Sequence, residues 1–320
     1  MAMTVAHGET GIPRRSSVSD TANITAWGRS FSDIPFAPEL FHAAFDAARL
    51  REEAPHTYQR LEQISRGIAP QVEARFYILD ELWFRTRVTL PGSRAEQEIT
   101  QVVEVASGLS SRGLAATSYD SRIRYVELDL PHMIKRKKAA VKEVADRPHN
   151  LHFVEGDALD IDNLKNAFNV GRFDNTKPVA VINEGLMRYF PFPAKTAYAQ
   201  HVARVLNWFN GVWLTTDITL RSVMEAEDRH NPGQNDELGR LSGMDLRSNA
   251  FESIEEGKEF FQRLGFSVRL HRYTEVKDTL VTPERVGISM KDAEGMIAAG
   301  VAVVMVPQLS DKSVKLARRS

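Results

Sequence analysis

A run of small residues, Ala106-Ser107-Gly108, directly follows an apolar, β-branched segment that begins at Val102. Sequence compatible with a helix comes next, after Ser110 and Ser111. A buried strand that ends in a small-residue turn at a helix start leaves backbone N–H groups pointing outward, with no side chain in front of them. The segment is therefore a candidate cradle for a ligand, although small residues in such loops also serve packing alone.

Acidic residues follow at the ends of the next three predicted strands. Strand 123–129 ends in Asp129, about 20 residues after the small-residue turn, which is the spacing at which a carboxylate binds a nucleotide ribose in a βαβ unit. Strand 151–154 leads to Asp157, and strand 179–183 leads to Glu184. Because ligands bind at the carboxyl ends of strands in an open α/β sheet, these strand ends predict one nucleoside ligand with a charged head group. The ordinary alternatives are a helix N-cap or an Asx turn.

The elements that would position these residues alternate between strand and helix from residue 101 to residue 306. This alternation predicts an α/β protein with a mainly parallel sheet covered on both faces. In the N-terminal helical pattern, Pro70 is expected to kink or divide a long segment. We divide the chain into a flexible arm (1–30), a helical cap (31–95), an α/β domain (96–310) with a polar insert (219–250), and a tail (311–320).

The amino-acid composition argues against nucleic acid as a partner and against any chemistry that needs cysteine. The 320 residues include 41 Lys and Arg against 42 Asp and Glu, so the net charge of -1 offers no general field for nucleic acid. The basic run from Lys135 to Lys138 is expected to form a solvated helix face. Cysteine is absent, which excludes disulfides, thiolate catalysis and Cys-ligated zinc and fits a reducing compartment. We predict no metal site.

No apolar stretch approaches the roughly 18 residues of a membrane span, and the N-terminus lacks a signal-peptide pattern. We therefore expect a cytoplasmic protein that does not bind a membrane. The composition fits a monomer and a homodimer equally well.

Five motifs carry a resemblance to a known family. ASGLSSRG, VELDLP, EGDALD and INEGLMRYF, with ARFYILDEL upstream, resemble the leucine carboxyl methyltransferase family, and within it a bacterial branch associated with polyketide O-methylation. The resemblance covers roughly residues 70–220. It implies a Rossmann-like class I methyltransferase fold with a seven-stranded, mainly parallel sheet whose last strand (300–306) is antiparallel. The wider family usually reads GAGLDTR in the first loop; here Ala106 replaces the first glycine and Ser110 the aspartate, which suits the polyketide-type branch and argues against a protein C-terminus as substrate.

The resemblance also implies S-adenosylmethionine as cofactor. Arg75 would bind the methionine carboxylate, and Asp129 the ribose. Asp157 and the Ala158 amide would contact the adenine, and Glu184 would lie near the ammonium group. Without the resemblance, Arg75 is a surface residue that pairs with Glu73 or Asp80. The full predicted cofactor set is Arg75, Ala106, Ser107, Gly108, Asp129, Leu130, Asp157, Ala158 and Glu184.

Met187, Arg188, Tyr189 and Phe190 are expected to line a substrate pocket, with ordinary core packing as the equally weighted alternative. No catalytic residue is assigned, and Tyr189 and His201 are the candidate bases. A carboxylate acceptor needs no base because it is ionised near pH 7, whereas a phenol needs one. We expect the insert and the aromatic N-terminal helices to cover this pocket as a lid.

The sequence thus predicts an S-adenosylmethionine-dependent O-methyltransferase that acts on a small molecule, a carboxylate or a phenol of a secondary metabolite. One alternative is an NAD-dependent oxidoreductase, but the first loop lacks GxGxxG, and the acidic strand ends would be unexplained. The other alternative is a homologue that binds the nucleoside without transferring a methyl group.

Overall fold

The computed structural model describes residues 18–89 and 96–308. Residues 1–17 of the predicted arm and the whole predicted tail (311–320) lie outside the described residues. Residues 18–30 were expected to be irregular, and this prediction is wrong, because they form helix α1 (Val18–Ser30). The helix forms because its apolar side chains, among them Ile24 and Trp27, are buried against the neighbouring cap helices.

The cap continues with three helices and a hairpin: α2 (Ala37–Ala44), α3 (Ala47–Glu53), α4 (Pro55–Arg85), β1 (Arg87–Thr89) and β2 (Glu96–Glu98). The antiparallel β1–β2 hairpin was not predicted. Of the two outcomes expected at Pro70, a kink or a division, the division does not occur, because α4 continues through the proline. Buried side chains on both sides of the proline, from Ile64 to Trp83, pack along the sheet and the cap and hold the helix in one piece.

Seven strands form the central sheet: β3 (Gln101–Val105), β4 (Arg124–Asp129), β5 (Leu151–Glu155), β6 (Val179–Asn183), β7 (Val212–Thr215), β8 (Phe266–Arg272) and β9 (Val301–Pro307). Their order is β5-β4-β3-β6-β7-β9-β8. Pairing is parallel from β5 to β7, with Val103 opposite both Val126 and Val181. Strand β9 is antiparallel to both of its neighbours, so the sheet has the predicted class I methyltransferase topology.

Nine further helices follow: α5 (Arg112–Tyr119), α6 (Pro131–Val144), α7 (Ile161–Val170), α8 (Phe192–Phe209), α9 (Arg221–His230), α10 (Gln234–Ser242), α11 (Ile254–Arg263), α12 (Thr282–Val286) and α13 (Met290–Ile297). Successive strand residues point to opposite faces. Val103 and Val181 pack with α7, α8 and α11, whereas Val102 and Ile182 pack with α4, α5, α6 and α13.

The predicted insert leaves the α/β domain and returns to it at the same place, because its two ends are hydrogen-bonded to each other. Thr219 and Phe251 meet at its base, where the Phe251 N–H donates to the Thr219 carbonyl at 2.9 Å and the Arg221 N–H donates to the Phe251 carbonyl at 2.9 Å. Helices α9 and α10 lie between these ends, and α10 contacts α1. The insert therefore meets the N-terminal helix above the carboxyl edge of the sheet.

The basic run on α6 only partly matches its prediction. Lys135 and Lys138 are exposed, as expected. Lys137 is buried and pairs with Glu127 of β4 at 2.5 Å, while Arg136 donates to the Ala44 carbonyl at 2.8 and 2.9 Å. Half of the run is therefore used to hold the helix against the sheet and the cap.

Candidate functional site

A cavity opens at the carboxyl ends of β3, β4 and β6. Helices α1 and α4 form one wall and the insert helix α10 closes part of the other, so the cavity lies between the cap and the sheet. It contains about 1010 Å³ of space when its open mouth is included. Seven of the nine predicted cofactor residues line it, namely Arg75, Ala106, Ser107, Gly108, Asp129, Leu130 and Glu184.

The loop after β3 is shaped for close approach by a ligand. Ala106 and Gly108 both adopt the left-handed backbone region, with φ of 55° and 51°. The Asp129 carboxylate lies beside them: Oδ2 accepts from the Gly108 N–H at 2.6 Å, and Oδ1 accepts from the Leu130 N–H at 2.7 Å. Burial raises the pKa of Asp129, and these two N–H groups oppose the rise. The Ser107 hydroxyl is buried at the cavity and has no hydrogen-bond partner among residues 18–89 and 96–308.

Three guanidinium groups surround Glu184, and we call these four residues the Glu184 cluster. Oε1 accepts from Arg29 Nη2 at 2.5 Å and from Arg75 Nε at 3.1 Å, while Oε2 accepts from Arg112 Nη2 at 3.2 Å. Burial alone would raise the pKa of Glu184, but the three cations outweigh it and lower that pKa to about 2. Glu184 is therefore ionised at any physiological pH.

Arg112 anchors the Glu184 cluster to the protein core. Its Nη1 donates to Glu104 and its Nε to Asp80, each at 2.5 Å, and its guanidinium lies 4.3 Å from the centre of the Phe76 ring. The three arginines thus face three carboxylates, those of Asp80, Glu104 and Glu184. Burial raises the pKa of Asp80 to about 6, although the neighbouring Arg112 opposes that rise. The cluster carries no excess of negative charge, and Arg29 Nε has no hydrogen-bond partner in the described part of the chain.

Arg75 pairs with neither Glu73 nor Asp80, the partners expected for it when the family resemblance is set aside. Glu73 faces the other way and accepts from the Thr282 N–H at 3.0 Å, and Asp80 binds Arg112. Arg75 instead places its Nε on Glu184 and lies at the cavity wall. Glu184, which the resemblance places near a ligand ammonium, lies at the cavity wall, and its oxygens accept from three protein cations.

A second part of the cavity lies beyond Gly185, and we call it the Arg188 pocket: Ile24, Ile68, Arg188, Tyr189 and Leu238. Arg188 and Tyr189 stand on a 3-10 turn, Met187–Tyr189. Tyr189 donates from its hydroxyl to Thr21 Oγ1 of α1 at 3.1 Å. Its neighbours Met187 and Phe190 do not line the cavity, because the turn directs them into the core.

Two buried charged groups hold this turn. Lys195 Nζ donates to the carbonyls of Met187 and Phe190 at 2.5 and 2.8 Å. Asp217 Oδ2 accepts from the Leu186 and Met187 N–H groups at 3.1 Å each, and from Asn183 Nδ2 at 2.5 Å. Burial lowers the pKa of Lys195 to about 8. The position of Arg188 is therefore fixed by its backbone as well as by its side chain.

Besides Met187 and Phe190, three predicted site residues are not brought to the cavity surface. Asp157 and Ala158 follow β5, the edge strand, and Asp157 Oδ1 accepts from the Leu159 N–H at 3.0 Å, which is the Asx turn weighed as its alternative. His201 lies on α8, which packs on the same face of the sheet as α7 and α11. Burial lowers the pKa of His201, and the positive charge of Arg204 lowers it further. His201 does not line the cavity.

The aromatic side chains of the N-terminal helices, which were expected to cover the pocket, do not line the cavity. Phe41, Phe45 and Tyr58 pack around Trp27 rather than along the cavity. The walls are instead Ile24 of α1, Ile68 of α4 and Leu238 of the insert.

Sequence reasoning missed Arg29 and Arg112 of the Glu184 cluster and Leu238 of the Arg188 pocket. Arg112 stands in the recognised ASGLSSRG motif, so its position was a usable signal. Arg29 had none, because it lies 155 residues from the carboxylate that it binds.

The described ranges contain neither a candidate metal site nor a helix that could span a membrane. No group of three or more His, Asp or Glu side chains there could hold a metal ion. In the same residues, no helix is both long enough and apolar enough to cross a membrane.

Comparison with known proteins gives consistent similarities. The sequence model of the leucine carboxyl methyltransferase family matches residues 29–203. A protein of Frankia alni, which carries the provisional name S-adenosyl-L-methionine-dependent methyltransferase, is 30% identical over 234 residues, 69% of this chain and 68% of that protein. A similarly named protein of Mycobacterium tuberculosis H37Rv is 27% identical over 155 residues, 48% of this chain and 45% of that protein. The match therefore spans less than half of the mycobacterial relative.

Among solved structures, the crystal structure of a DUF574 family protein from Streptomyces avermitilis superposes with a TM-score of 0.51. It is 15% identical, and the alignment covers 90% of this chain and 97% of that one. At this identity the similarity is one of fold.

Proposed function

The chain belongs to the leucine carboxyl methyltransferase family, and on that premise we propose that it transfers a methyl group from S-adenosylmethionine to an oxygen of a small molecule. The acceptor we propose is a carboxylate of a mostly apolar secondary metabolite, of the kind that the polyketide-type motifs indicate.

The observation that carries the proposal is the fit of the cavity to a nucleoside that bears an amino-acid tail. Asp129, buried at the end of β4, can accept hydrogen bonds from ribose hydroxyls. The Ser107 hydroxyl and Arg29 Nε are buried polar groups without partners among residues 18–89 and 96–308, and both residues line the cavity. Such groups are costly to leave unpaired, so a polar ligand would stabilise them. Arg29 and Arg75 together would hold the tail carboxylate.

When bound, S-adenosylmethionine supplies a methyl group on a positively charged sulfur. The chain's own residues orient the reactants and exclude water. The loop from Ala106 to Gly108 and Asp129 would hold the nucleoside, and the arginines of the Glu184 cluster would hold the tail, since all of these except Arg112 line the cavity. The apolar side chains of the Arg188 pocket exclude water from the acceptor oxygen, which strengthens electrostatic interactions there. An ionised carboxylate needs no base, so the absence of a His at the cavity surface of the described residues is compatible with this reaction.

The primary experiment is calorimetric titration with S-adenosylhomocysteine and, separately, with NAD. We expect binding of the first and none of the second, because the first loop lacks the glycine pattern of a dinucleotide site. Asp129→Ala should weaken S-adenosylhomocysteine binding by about 1.5–3 kcal/mol, the range for hydrogen bonds to a charged group. Asp162→Ala is the control, since Asp162 is an exposed carboxylate paired with Lys165 on α7. Tight NAD binding would favour the oxidoreductase instead.

A second comparison tests the tail site. Arg75→Ala should weaken S-adenosylhomocysteine much more than adenosine, because adenosine lacks the carboxylate. Equal losses for both ligands would assign Arg75 a structural role.

Methyl transfer from labelled S-adenosylmethionine to a panel of aromatic acids and phenols tests the chemistry. Product from the acids alone supports the proposed acceptor. Cofactor binding without any transfer would favour the non-catalytic homologue.

A further inference from the structure

We infer that Arg188 binds a carboxylate of the acceptor, so that the Arg188 pocket selects an anionic, mostly apolar small molecule. The inference deepens the proposed function and rests on it, because it names the acceptor's anchoring group and the residue that recognises it.

The first observation is how Arg188 is buried. Its accessible surface is 9% of the maximum, and Nη2 donates to Asn235 Oδ1 at 2.9 Å. Its Nε is buried and has no hydrogen-bond partner among the residues that the structure describes. A buried guanidinium N–H without an acceptor is destabilising, and buried charged side chains are ordinarily paired.

The second observation is that the neighbouring carboxylate does not supply the missing acceptor. Glu227 Oε2 lies 3.7 Å from Arg188 Nη2, beyond hydrogen-bond distance, and it too has no hydrogen-bond partner in the described ranges. The other oxygen of Glu227 accepts from Gln71 Nε2 at 2.8 Å, which holds the carboxylate in place. Arg188 is thus partly compensated in charge and incompletely satisfied in hydrogen bonding.

The third observation concerns what surrounds the cation. Ile24, Ile68 and Leu238 are apolar, and the Tyr189 hydroxyl is already hydrogen-bonded to Thr21. Gln71 and Gln234 also line the cavity here and are neutral. The pocket therefore presents a mostly apolar, uncharged surface around one orienting cation, the composition that suits an apolar ligand with one anionic group. A guanidinium offers parallel N–H groups that match the two oxygens of a carboxylate, which a neutral amide cannot reproduce.

The test is a titration of the S-adenosylhomocysteine-saturated protein with 2-naphthoate and with 2-naphthamide, which share an aromatic skeleton and differ in charge. We expect 2-naphthoate to bind at least about tenfold more tightly than 2-naphthamide. Arg188→Met should remove that preference and leave the affinity for S-adenosylhomocysteine unchanged. Arg240→Met is the matched control, because Arg240 lies on α10 and pairs with Glu237 at the surface.

Each outcome decides the inference. Equal affinity for the two probes, no 2-naphthoate binding at millimolar concentration, or an unchanged preference in Arg188→Met overturns it. Should Arg188→Met lose S-adenosylhomocysteine binding, Arg188→Lys carries the test, since it keeps the charge and loses the planar pair of N–H groups. Failure of the wild-type protein to bind S-adenosylhomocysteine would instead overturn the proposed function. In that case the affinities for 2-naphthoate and 2-naphthamide are compared in the absence of S-adenosylhomocysteine.

Discussion

The Glu184 cluster and the Arg188 pocket both contain buried arginines at one cavity, yet they treat the charge differently. In the cluster, three guanidiniums share Glu184, and Arg112 adds Asp80 and Glu104. In the pocket, one guanidinium has an amide oxygen at 2.9 Å and a carboxylate at 3.7 Å. A charge-matched site holds its geometry in the absence of a ligand, whereas an incompletely paired one gains most when a ligand arrives. We therefore assign rigidity to the first region, although the described residues leave Arg29 Nε without a partner there, and we propose acceptor selectivity for the second.

The largest expected effect comes from removing the shared anion of the cluster. Glu184→Gln should lower the free energy of unfolding by about 3–5 kcal/mol, because it leaves three buried cations without their common partner. Urea unfolding followed by circular dichroism measures this. Glu237→Gln removes a carboxylate paired at the surface with Arg240 and should cost less than about 1 kcal/mol. If the two variants were equally stable, the cluster would not be the rigid part of the site.

The same variant predicts a pH signature. The folded-state pKa of Glu184, about 2, lies below its ordinary value of 4.5. Its contribution to stability is therefore present above pH 4.5 and is lost as the pH falls toward 2. The stability difference between wild type and Glu184→Gln should shrink by about 2 kcal/mol between pH 5 and pH 3. A constant difference would mean that Glu184 is not held ionised by the arginines.

An effect of intermediate size is expected at Lys195, which holds the turn that carries Arg188. Burial lowers the pKa of Lys195 from 10.5 to about 8, so the unfolded chain binds more protons between these values and stability rises with pH across that window. Unfolding of the wild type should become less favourable by about 2 kcal/mol between pH 8 and pH 10 through this group. Lys195→Met lacks that rise and also frees the carbonyls of Met187 and Phe190.

Lys165→Met, which changes a half-exposed lysine on α7, is the control and should keep the wild-type pH dependence. An identical slope in Lys195→Met and wild type would contradict the buried, weakened lysine beneath the turn.

The two regions also differ in how far sequence could predict them. The strand-end motifs are local, so the Ala106–Gly108 loop, Asp129 and Glu184 could be placed at one sheet edge from alternation and resemblance alone. Their side-chain partners could not, because Arg29, Arg75 and Arg112 reach Glu184 across 155, 109 and 72 residues. Asp157 has the same kind of motif and still misses the cavity surface, because its strand is at the sheet edge.

The Arg188 pocket was predicted as a four-residue motif, and half of that motif faces it. A 3-10 turn directs Arg188 and Tyr189 to the cavity and Met187 to the core, and sequence periodicity does not encode that turn. The rest of the pocket comes from α1, α4 and α10, which only the tertiary fold brings together.

The smallest effect concerns the loop that borders the Glu184 cluster, where Ala106 occupies a position that is usually glycine in the wider family. Its φ of 55° is left-handed, which costs an L-residue roughly 1–2 kcal/mol relative to the right-handed form. Ala106→Gly removes that strain but adds freedom to the unfolded chain, an opposing effect of about 0.4–1 kcal/mol. The net expectation is a gain of between zero and about 1.6 kcal/mol in the free energy of unfolding. Ala139→Gly, on the exposed face of α6, is the matched control and should lose about 1 kcal/mol. If both substitutions destabilised the protein equally in urea, Ala106 would not be strained, and the rigidity of this end would rest on its ion pairs alone.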